Sequence, residues 1–278
     1  MRLARRGIRR GRLGYAAGMV ADVWALGDAY EPYVGRWSRL VAVDVLRRMA
    51  LPAGLSWLDV GCGTGAVTST ILGHAEPAEV VGVDPSEGFL AYARRSSPSA
   101  AFEVGSATDL PFVDGRFDVA LSGLMVNFVP APARAAAEMA RVTRAGGTVA
   151  AYVWDYADGM QMIRRFWDAA VDLDAGAVAV AEGPRFPLCH PDPLRELFQG
   201  AGLADVVVEP VDVPTRFADF DDFWGPFLGG QGPAPGYAMG LTDEGRAALR
   251  EHLRATLPYQ PDGSIALIAR AWLVRGHR

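Results

Sequence analysis

From Trp57 to Val153 the chain alternates short, β-branched apolar runs with alanine-rich stretches whose apolar residues recur every three to four positions. Strands buried on both faces read as continuous apolar runs and their covering helices as amphipathic ones, so this alternation predicts βαβ units and a parallel sheet. It places strands at 56–60, 79–83, 101–104, 117–122 and 147–153, with helices near 65–74, 86–95 and 133–144. Ahead of them, Tyr33, Trp37, Leu40, Val41, Val45 and Leu46 predict an amphipathic helix within 30–49, ended by Pro52 and Gly54.

After the fifth strand the pattern predicts a helix near 160–173, a loop rich in proline (Pro184, Pro187, Pro191, Pro193), a helix at 194–200 stopped by Gly202, and strands at 203–213 and 264–274. The spacer between those last strands holds Phe217, Phe220, Phe223, Trp224 and Phe227. It is too long for a hairpin turn, and its aromatics need a surface to cover, which suits a lid. The expected organisation is a disordered arm at 1–25 and one domain at 26–278. That domain divides into a cover segment at 26–55, a cofactor-binding core at 56–154, and substrate-lid segments at 155–190 and 217–258.

Composition narrows the chemistry. All 27 basic residues are arginine. Without lysine there is no Schiff base, no Walker-A phosphate lysine and no Tyr-x-x-x-Lys proton relay. Two cysteines and four scattered histidines give neither a disulfide framework nor metal-ligand spacing, so no metal site is expected and a reducing cytoplasm suits the chain. Net charge is −5, and the six arginines before Asp22 supply +6, so the rest of the chain carries −11. An acidic body argues against a nucleic-acid partner, and no uncharged apolar stretch is long enough for a membrane span. Oligomeric state is not legible.

The candidate chemistry begins at Asp59-Val60-Gly61-Cys62-Gly63-Thr64-Gly65, a glycine-dense turn between a buried strand and a helix. Glycine there permits positive φ and close approach of a ligand to the backbone, while the helix offers free N–H groups. Gly61, Gly63 and Ala66 also satisfy the dinucleotide pattern, so a nicotinamide-dependent oxidoreductase fits this turn as well. Asp84, closing the second strand, is spaced to accept hydrogen bonds from ribose hydroxyls, and Ser86 is placed to cap the following helix. Cys62, inside the turn, reads as a small packing residue.

Gly105-Ser106-Ala107-Thr108-Asp109-Leu110-Pro111-Phe112 after the third strand, then Phe117-Asp118-Val119, make the resemblance specific: residues 57–153 resemble the class I S-adenosylmethionine-dependent methyltransferases, in particular the small-molecule, methyltransferase type 11-like group. The resemblance implies a Rossmann-like α/β fold, with seven mostly parallel strands, helices on both faces and lid insertions, the last two strands forming an antiparallel edge. It implies S-adenosyl-L-methionine as cofactor and a small-molecule methyl acceptor. Gly61, Gly63 and Gly65 would wrap the methionine portion and Asp59 would hold its ammonium. Asp84 would bind the ribose, Pro85 and Ser86 would flank the adenine, Asp109 would accept from the adenine amino group, and Leu110 would pack on the ring. Ser122 and Gly123 would line the sulfonium side, and Tyr33 or Arg36 on the cover helix would meet the carboxylate. A protein that binds the cofactor without turnover is the remaining alternative.

Methyl transfer from a sulfonium is an in-line displacement that needs orientation more than a protein nucleophile. Asp155, at the carboxyl end of the fifth strand, and His190 are the candidate bases. The plainer reading makes the first a turn cap and the second local structure before a helix. Trp154, Met160, Trp167, Phe186 and Trp224 are expected to line an apolar or aromatic acceptor site, with lid core as the competing role.

Overall fold

The computed structural model of the chain describes residues 36–229 and 232–278. The expected arm at 1–25, the first part of the cover segment, Tyr33 and the side chain of Arg36 lie outside what is described. In chain order the structure holds helix α1 (Arg36–Met49), β1 (Ser56–Val60), α2 (Ala66–His74), β2 (Glu79–Asp84), α3 (Glu87–Ser96), β3 (Ala101–Val104), β4 (Phe117–Gly123), α4 (Pro132–Val142) and β5 (Thr143–Trp154). There follow α5 (Gln161–Leu173), α6 (Pro191–Gly200), β6 (Ala204–Phe217), α7 (Pro233–Gly240), α8 (Asp243–Thr256) and β7 (Ile265–His277), with short helical turns between them.

Seven strands form one sheet in the order β3-β2-β1-β4-β5-β7-β6. The first five are parallel, and β7 enters antiparallel against β5, with Ala151 opposite Val274. Leu58, Val60, Val81, Val83, Ala120, Val149, Ala151 and Val153 turn to one face, where Met139 of α4 and Leu194 and Phe198 of α6 close over them. Each such buried Val or Leu is worth about 1.5–3 kcal/mol against exposure. On the other face, Leu90 and Ala93 of α3 pack with Cys62 and Phe102. α3 is set by its ends: Ser86 Oγ accepts from the Phe89 N–H (3.3 Å), Glu87 sits in the first turn, and Arg94 and Arg95 sit in the last.

The chain divides into two compact units. One comprises 34–160, 186–215 and 268–278 and carries most of the sheet. The other, among the described residues, comprises 161–185 and 216–267. The second unit has an aromatic interior. Phe166 stacks on Phe227 at 4.5 Å and meets Trp167 edge-on at 5.2 Å, Trp167 lies 5.2 Å from Tyr237, and Phe223 packs between Phe217 and Phe227. Among the described residues no helix is long and apolar enough to cross a membrane.

Several boundaries differ from the sequence expectation: α6 already starts at Pro191, β7 runs on to His277, and two more differences have a clear local cause. The fourth helix ends at Val142 and the strand begins at Thr143, because the Thr143 hydroxyl bonds back to the Met139 carbonyl (2.7 Å) while its backbone already pairs with Phe117. β6 runs on past Pro214 to Phe217. It is an edge strand, where a missing N–H costs no ladder bond on the open side, and Val211, Val213, Thr215 and Phe217 keep a buried alternation through the proline.

Candidate active site

In a parallel sheet the carboxyl ends of the strands share one edge. The loops after β1, β2, β3, β4 and β5 therefore rise together, at the edge where open α/β sheets bind ligands. The loops touch in sequence. Gly61 and Cys62 N–H groups donate to the Val83 carbonyl (2.8 and 3.0 Å), Gly105 N–H donates to the Asp84 carbonyl (3.2 Å), and Leu124 N–H donates to the Tyr152 carbonyl (2.8 Å).

The glycine turn needs its glycines. Gly61, Gly63 and Gly65 have φ of 73°, 53° and 88°, in the left-handed region that side chains disfavour, and a Cβ on Gly61 would come within 2.5 Å of the Met125 side chain. Met125 thus brings the turn after β4 down onto the turn after β1. Gly123 is equally constrained, since a Cβ there would meet the Tyr152 hydroxyl and Val67 at 2.6 Å.

Asp59 is completely buried in the middle of an apolar strand. The Thr68 hydroxyl donates to its Oδ2 at 2.6 Å, and Oδ1 has no partner. Loss of hydration pushes its carboxyl up to about 7, an effect the Thr68 hydrogen bond only partly offsets. Asp84, nearly buried, uses Oδ2 to accept from the Gly63 N–H (3.0 Å) and Oδ1 to accept from the Ser86 N–H (2.9 Å). It fixes two loops at once, and each oxygen retains a second lone pair for a ligand hydroxyl. Cys62 is buried and its thiol is pushed strongly up by burial, which leaves it a packing group.

The loop after β3 is held from α4. Arg134 Nε donates to the Thr108 carbonyl (2.6 Å), Glu138 accepts from the Leu110 N–H (2.8 Å), and Arg141 donates to the Leu110 (3.0 Å) and Phe112 (2.7 Å) carbonyls while pairing with Glu138. These residues recur at i, i+4 and i+7 on an otherwise apolar helix, a charged stripe that would have marked them in the sequence. The result exposes Asp109 and buries Leu110. Asp59 near the carboxyl end of β1, Asp84 at that of β2 and Asp109 in the loop after β3 therefore share one edge of the sheet with Pro85, Ser86, Ser122 and Gly123.

The remaining expected residues divide. Asp155 is buried, its Oδ1 accepts from the Asp158 N–H (3.0 Å), and its backbone is tied to Arg270 and Met160, so it caps the turn that follows β5. His190 is exposed at the start of α6. Trp154, Met160 and Phe186 are buried in the sheet unit, where Phe186 packs edge-on against Phe128 (5.2 Å) and beside Tyr156 (5.7 Å). Trp167 and Trp224 are buried in the aromatic interior of the second unit. The sequence reading passed over Glu182, buried in that interior. It accepts from the Trp167 indole N–H and from the Ala234 N–H (3.3 Å), and burial pushes it up to about 7. Among the described residues, no group of three or more His, Cys, Asp or Glu could hold a metal ion.

Comparison with known proteins bears on what this edge binds. A methyltransferase-domain family matches residues 58–151. The chain is 30% identical over 225 residues to the 2-methyl-6-phytyl-1,4-hydroquinone methyltransferase of Synechocystis sp., a match covering 74% of this chain and 67% of the relative. It is 42% identical to the demethylmenaquinone methyltransferase of Renibacterium salmoninarum, over 45% of this chain and about half (48%) of that protein. The fold is that of Haemonchus contortus phosphoethanolamine N-methyltransferase 2, solved with S-adenosyl-L-methionine: TM-score 0.56, 17% identity, covering 90% of this chain and 56% of the other. The glycine turn's ambiguity is thereby resolved, and the orphan carboxylate oxygen of Asp59 beside three left-handed glycines suits a cofactor that carries an ammonium. The chain belongs to the class I S-adenosylmethionine-dependent methyltransferases, and S-adenosylmethionine is its cofactor.

Proposed function

We propose that the chain transfers the cofactor's methyl group to a small, mostly apolar or aromatic molecule in the cytoplasm. The observation that carries this reading is that the short stretch after β4 brings Met125 against Gly61 of the glycine turn and, three residues on, Phe128 against Phe186 with Tyr156 beside it. The lining of such a site is mostly apolar, with a few polar groups to orient the ligand. One relative is named for a hydroquinone, which is in keeping with an aromatic acceptor.

The cofactor, when bound, supplies a methyl group on a sulfonium and hence the electrophile. In this reading the protein's residues orient and desolvate. Asp59 holds the ammonium with its free oxygen, and the backbone of Gly61, Gly63 and Gly65 allows the methionine portion close. Asp84 accepts from the ribose hydroxyls, Pro85, Ser86 and Leu110 bracket the adenine, and Asp109 accepts from its amino group. Ser122 and Gly123 line the sulfonium side. In-line geometry then rests on the walls of the pocket and needs no strong protein base, which fits Asp155 being committed to a turn.

The test is mass spectrometry of small molecules that copurify with the protein, followed by incubation with methyl-labelled S-adenosylmethionine and a cell extract. Label moving into an extractable aromatic product supports the proposal. Cofactor binding with no transfer to the extract or to a panel of hydroquinones would instead favour a non-catalytic cofactor-binding role.

A further inference from the structure

The turn that follows β4 is a single 3-10 turn, Val126-Asn127-Phe128, preceded by Met125. Residues on either side of Asn127, Met125 and Phe128, meet different surroundings. Met125 lies against Gly61 of the cofactor turn, and Phe128 meets Phe186 edge-on at 5.2 Å, with Tyr156 beside Phe186 at 5.7 Å. Between them Asn127 is half-buried, and its side-chain Oδ1 is fully enclosed with no hydrogen-bond partner. An enclosed amide oxygen without a partner costs about 1–3 kcal/mol, so a donor is wanted there.

We propose that Asn127 is the residue that orients the methyl acceptor, by accepting a hydrogen bond from an O–H or N–H carried on an aromatic ring. The proposal rests on the reading of this edge as a methyl-transfer site and adds to it a requirement on the acceptor. The ring lies against Phe128 and Phe186, while the protic group bonds to Asn127, between the ring and the cofactor. A hydrogen bond of this kind fixes which atom of the ring system faces the cofactor, and it rejects the analogue that lacks the donor, because the amide oxygen is then left unpaired. Asn127 removes no proton in this role; it is a positioning residue.

The test uses the full chain saturated with S-adenosylhomocysteine, and four probes: 1-naphthol, 1-naphthylamine, and their O-methyl and N,N-dimethyl counterparts. Titration by calorimetry should show at least one protic probe binding about tenfold tighter than its methylated partner, the scale of one hydrogen bond. Which protic probe wins distinguishes a hydroxyl from an amine acceptor. In Asn127→Leu that ratio should fall to about one with S-adenosylhomocysteine affinity unchanged, and Asn127→Asp, which keeps an acceptor oxygen in place, should restore it. A ratio that survives in Asn127→Leu, or a wild-type protein that binds S-adenosylhomocysteine but none of the probes or all of them equally, overturns the role of Asn127. Failure of the wild-type protein to bind S-adenosylhomocysteine would strike the methyl-transfer reading itself.

Discussion

Asp59 in the sheet unit and Glu182 in the second unit have the same predicament and different surroundings. Each is buried, and each is pushed up to about 7, chiefly by loss of hydration. Glu182 has both oxygens engaged, accepting from the Trp167 indole and the Ala234 N–H, and so ties α5 to the start of α7. Asp59 has one oxygen on Thr68 and one oxygen with nothing. A buried carboxylate whose hydrogen bonds are complete holds a fold together. One left incomplete beside the glycine turn is where the proposed ligand would complete it.

The largest expected effect tests the structural half of that contrast. Glu182→Ala removes the acceptor for two buried donors, and urea unfolding should show a loss of about 3–5 kcal/mol. Folded molecules of the variant should bind S-adenosylmethionine as before. A loss under about 1 kcal/mol would mean that the Glu182 hydrogen bonds do not hold the second unit together. Next in size, Asp84→Ala should weaken cofactor binding by about 2–3 kcal/mol, since Asp84 both joins the first two loops and retains lone pairs for the ribose. Calorimetry with an unchanged Kd would remove Asp84 from the site.

Titration sharpens the comparison further. If, as proposed, Asp59 pairs with the cofactor's ammonium, its carboxyl must be ionised to do so, and S-adenosylmethionine affinity should fall by about 1.4 kcal/mol per unit as pH drops below about 7. Asp59→Asn should bind weakly and lose that slope. Stability runs the other way. Both carboxylates are raised above their unfolded values, so their neutral forms favour the fold below those values, and that contribution is lost as pH rises through about 7. Thermal melts of the cofactor-free protein should therefore decline between about pH 5 and 7 and level off above that, less steeply in Asp59→Asn. The smallest effect belongs to the surface of the second unit: Arg254, whose guanidinium lies 4.2 Å above the Phe220 ring, should cost about 1 kcal/mol or less when changed to Ala.

The legible part of the molecule is the part governed by repetition. β1 and β3 fall where the apolar runs placed them, and Ser86 caps α3 as its position after a strand suggested. The glycine turn was legible for the same reason, because positive φ at three alternate residues leaves a compositional mark. Glu182 left none: one carboxylate among Ala181, Gly183 and Pro184 looks like a loop residue, and only Trp167, fifteen positions earlier, and Ala234, fifty-two later, make it interior. Asn127 was hidden differently. Its neighbours Val126 and Phe128 look like core, and its importance comes from a bond it does not make.

The position of β7 between β5 and β6 also constrains how the protein can be made. A ribosome delivers β6 before β7, so when residues 204–217 emerge the strand they must lie beside does not yet exist. Until residues 265–277 follow, β5 presents a raw edge rich in valine and alanine, the kind of edge that recruits neighbouring chains. Nascent chains stalled in that interval should be the aggregation-prone species, and docking of the outermost strand in space waits on the last one in time.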